Sequence, residues 1–441
     1  MSVRGSTGQS LARTFVLSTL LAAFALLLAS CADSPSEPEE RAAPDVAGSA
    51  LVSPPFVGCQ YGSHVEGALY EVCIPTEWNG DLVVWAHGYT SPTEDLAVPD
   101  DEVDETPISE IVNDLGYAYA ATSYRKNGLV AADAVLDLED LVDVLRPTLN
   151  PRYIYLVGAS EGGLTTALAI ERTGPAFDGG MSTCGPVGNF RKQINHFGDF
   201  RVIFDYFFPD VMPGSAIHIP EHLVTDESWK NVYEPAIKAA IATKPHATEQ
   251  LLKVTGAATD PNDPDSIEET VVGVLWYSFF ATNDAVETLG GNPYGNWFRR
   301  YRGSDDDRAL NRDVDRFQAA PAALAAMQSY ETSGRLRTPA VILHTTRDPI
   351  VPYWHELLYL GKVLRAGAAW KLTSLPVFRY GHCQFKLAEV LAGFAVLVLR
   401  VSAQDLIAQA EVFPDPESQR AFLELARANG ANPWILERRQ R

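Results

Sequence analysis

The chain has 441 residues, 46% of them apolar and 21% charged, enough to bury a core in one large domain with an insertion or in two domains. Its formal net charge of -21 repels phosphate backbones, which excludes nucleic acid as a partner. Beyond that the acidity reads as a soluble, solvated surface.

The first segment in chain order lies outside the fold. Arg4 and Arg13 are the only charges before an apolar run over 15–28, which ends in Leu28-Ala29-Ser30-Cys31. A charged start, a run too short for a comfortable membrane span and small residues at its end describe an export signal over 1–30. The Cys placed directly after them resembles a lipobox, which implies diacylation of Cys31 and anchoring to a bacterial membrane at the cell surface or periplasmic face. The rest of 31–55, rich in Ala, Pro, Ser and Glu without apolar periodicity, is expected to be a flexible tether.

From there short apolar strands alternate with helical stretches, the pattern of an α/β protein whose mostly parallel sheet carries helices on both faces. Strands are expected over 65–75, 82–86 and 117–122, with a tight turn at Asn79-Gly80. Leu136, Leu138, Leu141, Val142 and Leu145 recur at helical spacing, predicting a helix over 134–149. A strand over 153–157 runs into a helix over 160–172 with Gly174 as its cap, and a further strand is expected over 177–184. The alternation then stops and resumes only with strands over 340–343 and 372–378 and a closing helix over 387–401. The excess chain is aromatic and holds helical patches over 233–242, 268–280 and 314–329. It reads as a helical cap over 190–334, inserted into a core made of 56–189 and 335–441, above the carboxyl ends of the strands.

Besides Cys31 there are four cysteines, and an even number in an exported chain points to disulfides. Of the three connectivities we favour Cys59 with Cys73, which flank an expected hairpin, and Cys184 with Cys383.

The sharpest chemical signal is Gly158-Ala159-Ser160-Glu161-Gly162, between a predicted strand and a predicted helix. A serine nucleophile needs such a strained turn to lift its hydroxyl above the sheet, and only glycine fits two residues to either side. The N–H of Glu161, at the helix start, would face an oxyanion. A serine needs a base, and the base an orienting carboxylate. His382, in the loop after the last predicted strand, and Asp348, in the Asp348-Pro349-Ile350-Val351-Pro352 turn, complete the chain order Ser, acid, His. His87 and His344 read as structural. There is no H-E-x-x-H, C-x-x-C or Gly-rich phosphate cradle, so neither metal nor cofactor is expected. The acidic run from Asp100 to Glu105 reads as a solvated loop.

These three stations, with Leu82-Val83-Val84-Trp85-Ala86-His87-Gly88-Tyr89, resemble the α/β-hydrolase superfamily over about 65–401, the cap excepted. The resemblance implies a triad of Ser160, Asp348 and His382, and a second oxyanion donor in the N–H of Tyr89. The leading expectation is a serine hydrolase cleaving carboxylic esters, small or oligomeric, through an acyl-enzyme. The alternatives are a serine peptidase acting on short peptides and a non-catalytic surface-binding lipoprotein that keeps a hydrolase fold. The cap aromatics Trp276, Tyr277, Phe279, Phe280, Tyr294, Trp297, Phe298 and Tyr301 either line an apolar substrate pocket or form the cap's own core.

Overall fold

A computed structural model describes residues 55–172 and 176–408. The expected export signal, Cys31, nearly all of the tether and the Gly174 cap lie outside them. Eight strands form the main sheet: β1 (Gly58–Ser63), β2 (Leu69–Ile74), β3 (Leu82–Ala86), β4 (Ala118–Thr122), β5 (Ile154–Ala159), β6 (Gly179–Thr183), β7 (Ala340–Arg347) and β8 (Leu372–Tyr380). Their order is β1-β2-β4-β3-β5-β6-β7-β8. β1 and β2 pair antiparallel, as do β2 and β4, and the remaining pairs are parallel. The fold is α/β, of the α/β-hydrolase type, carrying a large helical insertion.

The strand expected over 65–75 begins only at Leu69. Residues 65–67 form a 3-10 turn in which Glu66 and Gly67 hold φ of 51° and 87°, which an extended strand does not allow. The chain before it folds back as β1, and the disulfide Cys59–Cys73 ties the pair. A second disulfide joins Cys184 to Cys383.

The central strands are buried on both faces, and side chains alternate between two cores. Val84, Ala86 and Leu156 pack with α2 (Ala131–Leu149) and α3 (Glu161–Glu171) on one face. Val83, Trp85, Val157 and Met181 pack on the other with α1 (Ile108–Asp114) and the carboxyl-terminal helix Leu387–Ala408. The acidic run differs from the solvated loop expected of it. It makes a small hairpin, Glu102–Val103 with Thr106–Pro107, and Asp101 accepts the Trp85 indole N–H at 2.7 Å.

Between β6 and β7 the chain builds the cap. Its long helices are α4 (Phe190–Phe207), α5 (Glu234–Thr243), α6 (Pro245–Thr255) and α7 (Ser266–Thr288), packed around Phe200, Phe204, Ile237, Leu251, Val274 and Phe279. The helix expected over 314–329 starts only at Pro321, because a residue preceding proline avoids the helical region and Ala320 is extended. Among the described residues no helix is long and apolar enough to cross a membrane.

Candidate active site

β5 ends in the turn that carries Ser160, whose φ of 54° and ψ of -119° are strained for a residue with a side chain. Its N–H donates to Thr183 O at 2.9 Å, and its carbonyl accepts from Gly163 and Leu164 of α3. The flanking glycines are required by close approach. A Cβ on Gly162 would lie 1.9 Å from the Ala86 carbonyl oxygen, and one on Gly158 would lie 2.3 Å from that of Gly162. The helix start is thereby pressed onto the end of β3. Glu161 is the first residue of α3, so its N–H has no partner within the helix.

His382 follows β8 and Asp348 follows β7. His382 Nδ1 lies 2.7 Å from Asp348 Oδ2, and its Nε2 lies 2.9 Å from Ser160 Oγ. A carboxylate only accepts, so Nδ1 carries the hydrogen and Nε2 is left to take the serine proton. The structure thus brings together the three side chains singled out in the sequence. The Cys184–Cys383 disulfide fastens the His loop to the end of β6.

Asp348 is buried, and its second oxygen accepts the N–H groups of Ile350 and Val351 at 2.8 and 2.9 Å. The next three carbonyls are each held by a side-chain N–H. His196 Nε2 donates to Pro349 O at 2.9 Å, Gln193 Nε2 to Ile350 O at 2.7 Å, and His344 Nε2 to Val351 O at 2.8 Å. His196 and Gln193 belong to cap helix α4, and Gln193 is fixed in turn by His355 at 2.8 Å. Ile350 and Val351 are themselves part of the cap's apolar core.

Behind Asp348 lies a second titratable pair. His344 Nε2 is 3.6 Å from Asp348 Oδ2, and His344 Nδ1 is 3.4 Å from Glu356 Oε1. All three residues are buried. Nε2 carries a hydrogen, because the Val351 carbonyl only accepts. A bare Nδ1 facing a bare carboxylate would oppose two lone pairs in a dry site, so one proton belongs between them. Burial pulls the His344 imidazole down, but Glu356, Asp348 and the Val351 carbonyl outweigh it and leave it raised.

On the other side of Ser160 is the loop after β3. Gly88 passes so close that a Cβ there would meet Ser160 Cβ at 3.3 Å. His87 is buried, stacked on Tyr124 at 4.0 Å, with Nδ1 2.7 Å from Gly88 O, so it shapes the loop from below. The Tyr89 hydroxyl donates to Asp284 of cap helix α7 at 3.2 Å, and Asp284 also accepts the Leu129 N–H at 2.7 Å.

The Glu161 side chain turns away from solvent. Its Oε1 accepts the N–H groups of Val130 and Ala131 at 2.8 and 3.0 Å, at the start of α2, while Oε2 is buried without a partner. Burial pushes its carboxyl up to about 8, against the pull of those two N–H groups. At neutral pH it is therefore mostly protonated, which keeps a negative charge away from the start of α3 beside Ser160.

An apolar cavity under the cap reaches this site. Tyr89, Ser160, Glu161, Ile194, Phe197 and Tyr277 are among its lining residues. Of the eight cap aromatics singled out in the sequence, only Tyr277 and Tyr294 line it. Phe279, Phe280 and Tyr301 are cap core, Trp276 packs partly buried against that core, and Trp297 and Phe298 are exposed. Tyr277 stacks on Phe197 at 5.2 Å and lines the cavity together with Ser160, a placement no local pattern announces. Likewise His196, Gln193, Asp284 and the Glu356 partner of His344 become site residues only through the fold. Among the described residues two clusters have metal-like spacing, Cys184-His382-Cys383 and Cys59-Glu71-Cys73, but their cysteines are in disulfides and offer no thiolate.

No family model matches the sequence, and no curated protein matches it. Among solved structures, the chain is similar to Candida antarctica lipase A in its closed state, at 14% identity over 78% of this chain and 77% of that one, TM-score 0.41. It is also similar to Est1E from Butyrivibrio proteoclasticus, at 14% identity over 78% and 99%, TM-score 0.34. Acylaminoacyl peptidase of Pyrococcus horikoshii matches at 10% identity over 78% and 41%, TM-score 0.38, so this chain spans about two fifths of that peptidase. At such distances these likenesses bear on neither substrate nor mechanism.

Proposed function

We propose that this protein is a serine hydrolase that cleaves carboxylic esters through an acyl-enzyme. The observation that carries the reading is the hydrogen-bonded chain Ser160–His382–Asp348 at the foot of an apolar cavity. His382 Nε2 removes the Ser160 proton as Oγ attacks the ester carbonyl, and Asp348 stabilises the resulting imidazolium. The N–H groups of Glu161 and Tyr89 receive the oxyanion. His382 then protonates the departing alcohol, and later takes a proton from the water that releases the acid.

Esters are favoured over short peptides by the chemistry of the cavity. A charged peptide terminus needs a charged partner, and the acid that lines the cap-side cavity, Glu161, is mostly neutral near pH 7. The test is hydrolysis of p-nitrophenyl esters from acetate to palmitate, with Ser160→Ala beside the wild type. Turnover is expected to fall in the variant by at least about 10⁴-fold. No turnover by folded wild-type protein, with no labelling of Ser160 by a fluorophosphonate, would leave the non-catalytic binding reading. The proposal includes export and anchoring through acylated Cys31, supported by the sequence pattern over 15–31. Incorporation of labelled palmitate, lost in Cys31→Ser, tests that part.

A further inference from the structure

We infer that the substrate ester is apolar on both sides of its carbonyl, and that its alcohol part occupies a second cavity that meets the cap-side one at Ser160. The inference rests on the ester-hydrolase reading and names the substrate class for it. This second cavity lies on the sheet face opposite α2 and α3. Ile111 and Val112 of α1, Leu391 and Phe394 of the carboxyl-terminal helix, and Trp85 and Met181 of the sheet build its mostly apolar walls, which Asp101 and Glu102 also line. Tyr89, Ser160 and Tyr277 line this cavity as well as the one under the cap, so the two meet at the nucleophile.

The chemistry assigns the two halves. Acylation forms the Ser160 Oγ–carbonyl carbon bond and breaks the bond from that carbon to the alcohol oxygen. The serine proton passes through His382 Nε2 to the departing oxygen. The alcohol must therefore leave on the side that His382 faces. His382 lines the second cavity and is not among the residues lining the cap-side one. The acyl group, left on Ser160, occupies the cap-side cavity, where Leu164, Ile194, Phe197 and Ala281 receive it. A protein that accepted only acetate-like acids or methanol-like alcohols would leave one of these apolar cavities unused.

The experiment uses the full chain and two ester series, butyrates of alcohols from ethanol to octanol and ethyl esters of acids from acetate to octanoate. In the wild type kcat/KM is expected to climb along both series, by up to about fourfold per methylene, until each cavity is filled. Ile111→Trp and Leu391→Trp place an indole in the second cavity from half-buried positions. These variants should move the alcohol optimum to shorter chains and leave the acyl optimum where it was. Two positions on two elements guard against one variant failing to fold, and fluorophosphonate labelling of Ser160 reports that the site still forms. A flat alcohol series in the wild type overturns the inference, as does a shift confined to the acyl series. Absence of both ester turnover and labelling overturns instead the reading on which it rests.

Discussion

At the scale of single residues, the site depends on protons held in dry places. The Glu161 carboxyl sits near 8 in the folded protein against an ordinary 4.5. The folded state therefore keeps a proton that the unfolded chain loses, and stability falls as pH rises from about 4.5 to 8, with a slope of up to about 1.4 kcal/mol per pH unit. Glu161→Gln cannot ionise, so urea unfolding across pH 5 to 8 should show a flatter dependence, while its backbone N–H stays in place. The His344–Glu356 pair gives a second contrast. Glu356→Ala strands an imidazole in the core and should cost about 3–5 kcal/mol. Glu356→Gln should cost much less, because its amide N–H₂ can donate to Nδ1 while its oxygen accepts from Ser374, which now donates to Glu356 at 3.1 Å. Denaturant midpoints of the two variants separate these outcomes.

At the scale of elements, the turn at Ser160 is a contact between a helix start and a strand end with no room for one carbon atom. Gly162→Ala places its Cβ against the main-chain carbonyls of Ala86 and His87, which cannot turn aside as a side chain can. It should lose more than about 3 kcal/mol or fail to accumulate as folded protein, as thermal melts would show. Such constraints are what made parts of this molecule legible. Gly158-to-Gly162 is readable because one backbone geometry dictates several neighbouring residues, and Leu82–Ala86 because a strand buried on both faces is apolar throughout. The beginning of β2 was not readable, since Glu66 adopts a positive φ that its residue type disfavours. Nor was the grip of α4 on the acid loop. Gln193 and His196 lie more than a hundred residues from the carbonyls they hold, and a lone Gln or His carries no local sign of such a partner. Cap aromatics are uninformative for a related reason, because packing a core and lining a cavity ask for the same side chains.

At the scale of the whole molecule, cap and core are joined at three loops around Ser160. α4 holds the acid loop, Asp284 of α7 holds the Tyr89 loop, and Thr270 of α7 lies 2.8 Å from the Tyr380 hydroxyl, beside the His loop. The Cys184–Cys383 crosslink spans 199 positions of sequence. Replacing both cysteines by serine should lower unfolding free energy by about 3–5 kcal/mol. Ester turnover should fall further than stability alone explains, because the His382 loop loses its tether. Comparison of kcat with the denaturant midpoint checks both. That same crosslink closes a covalent ring that contains the entire cap, with its clasp next to His382 and Ser160. A protease that cuts a cap loop once opens the ring without parting it. The two pieces stay threaded to a common core, and a nicked molecule remains a single particle until a reductant reaches the clasp.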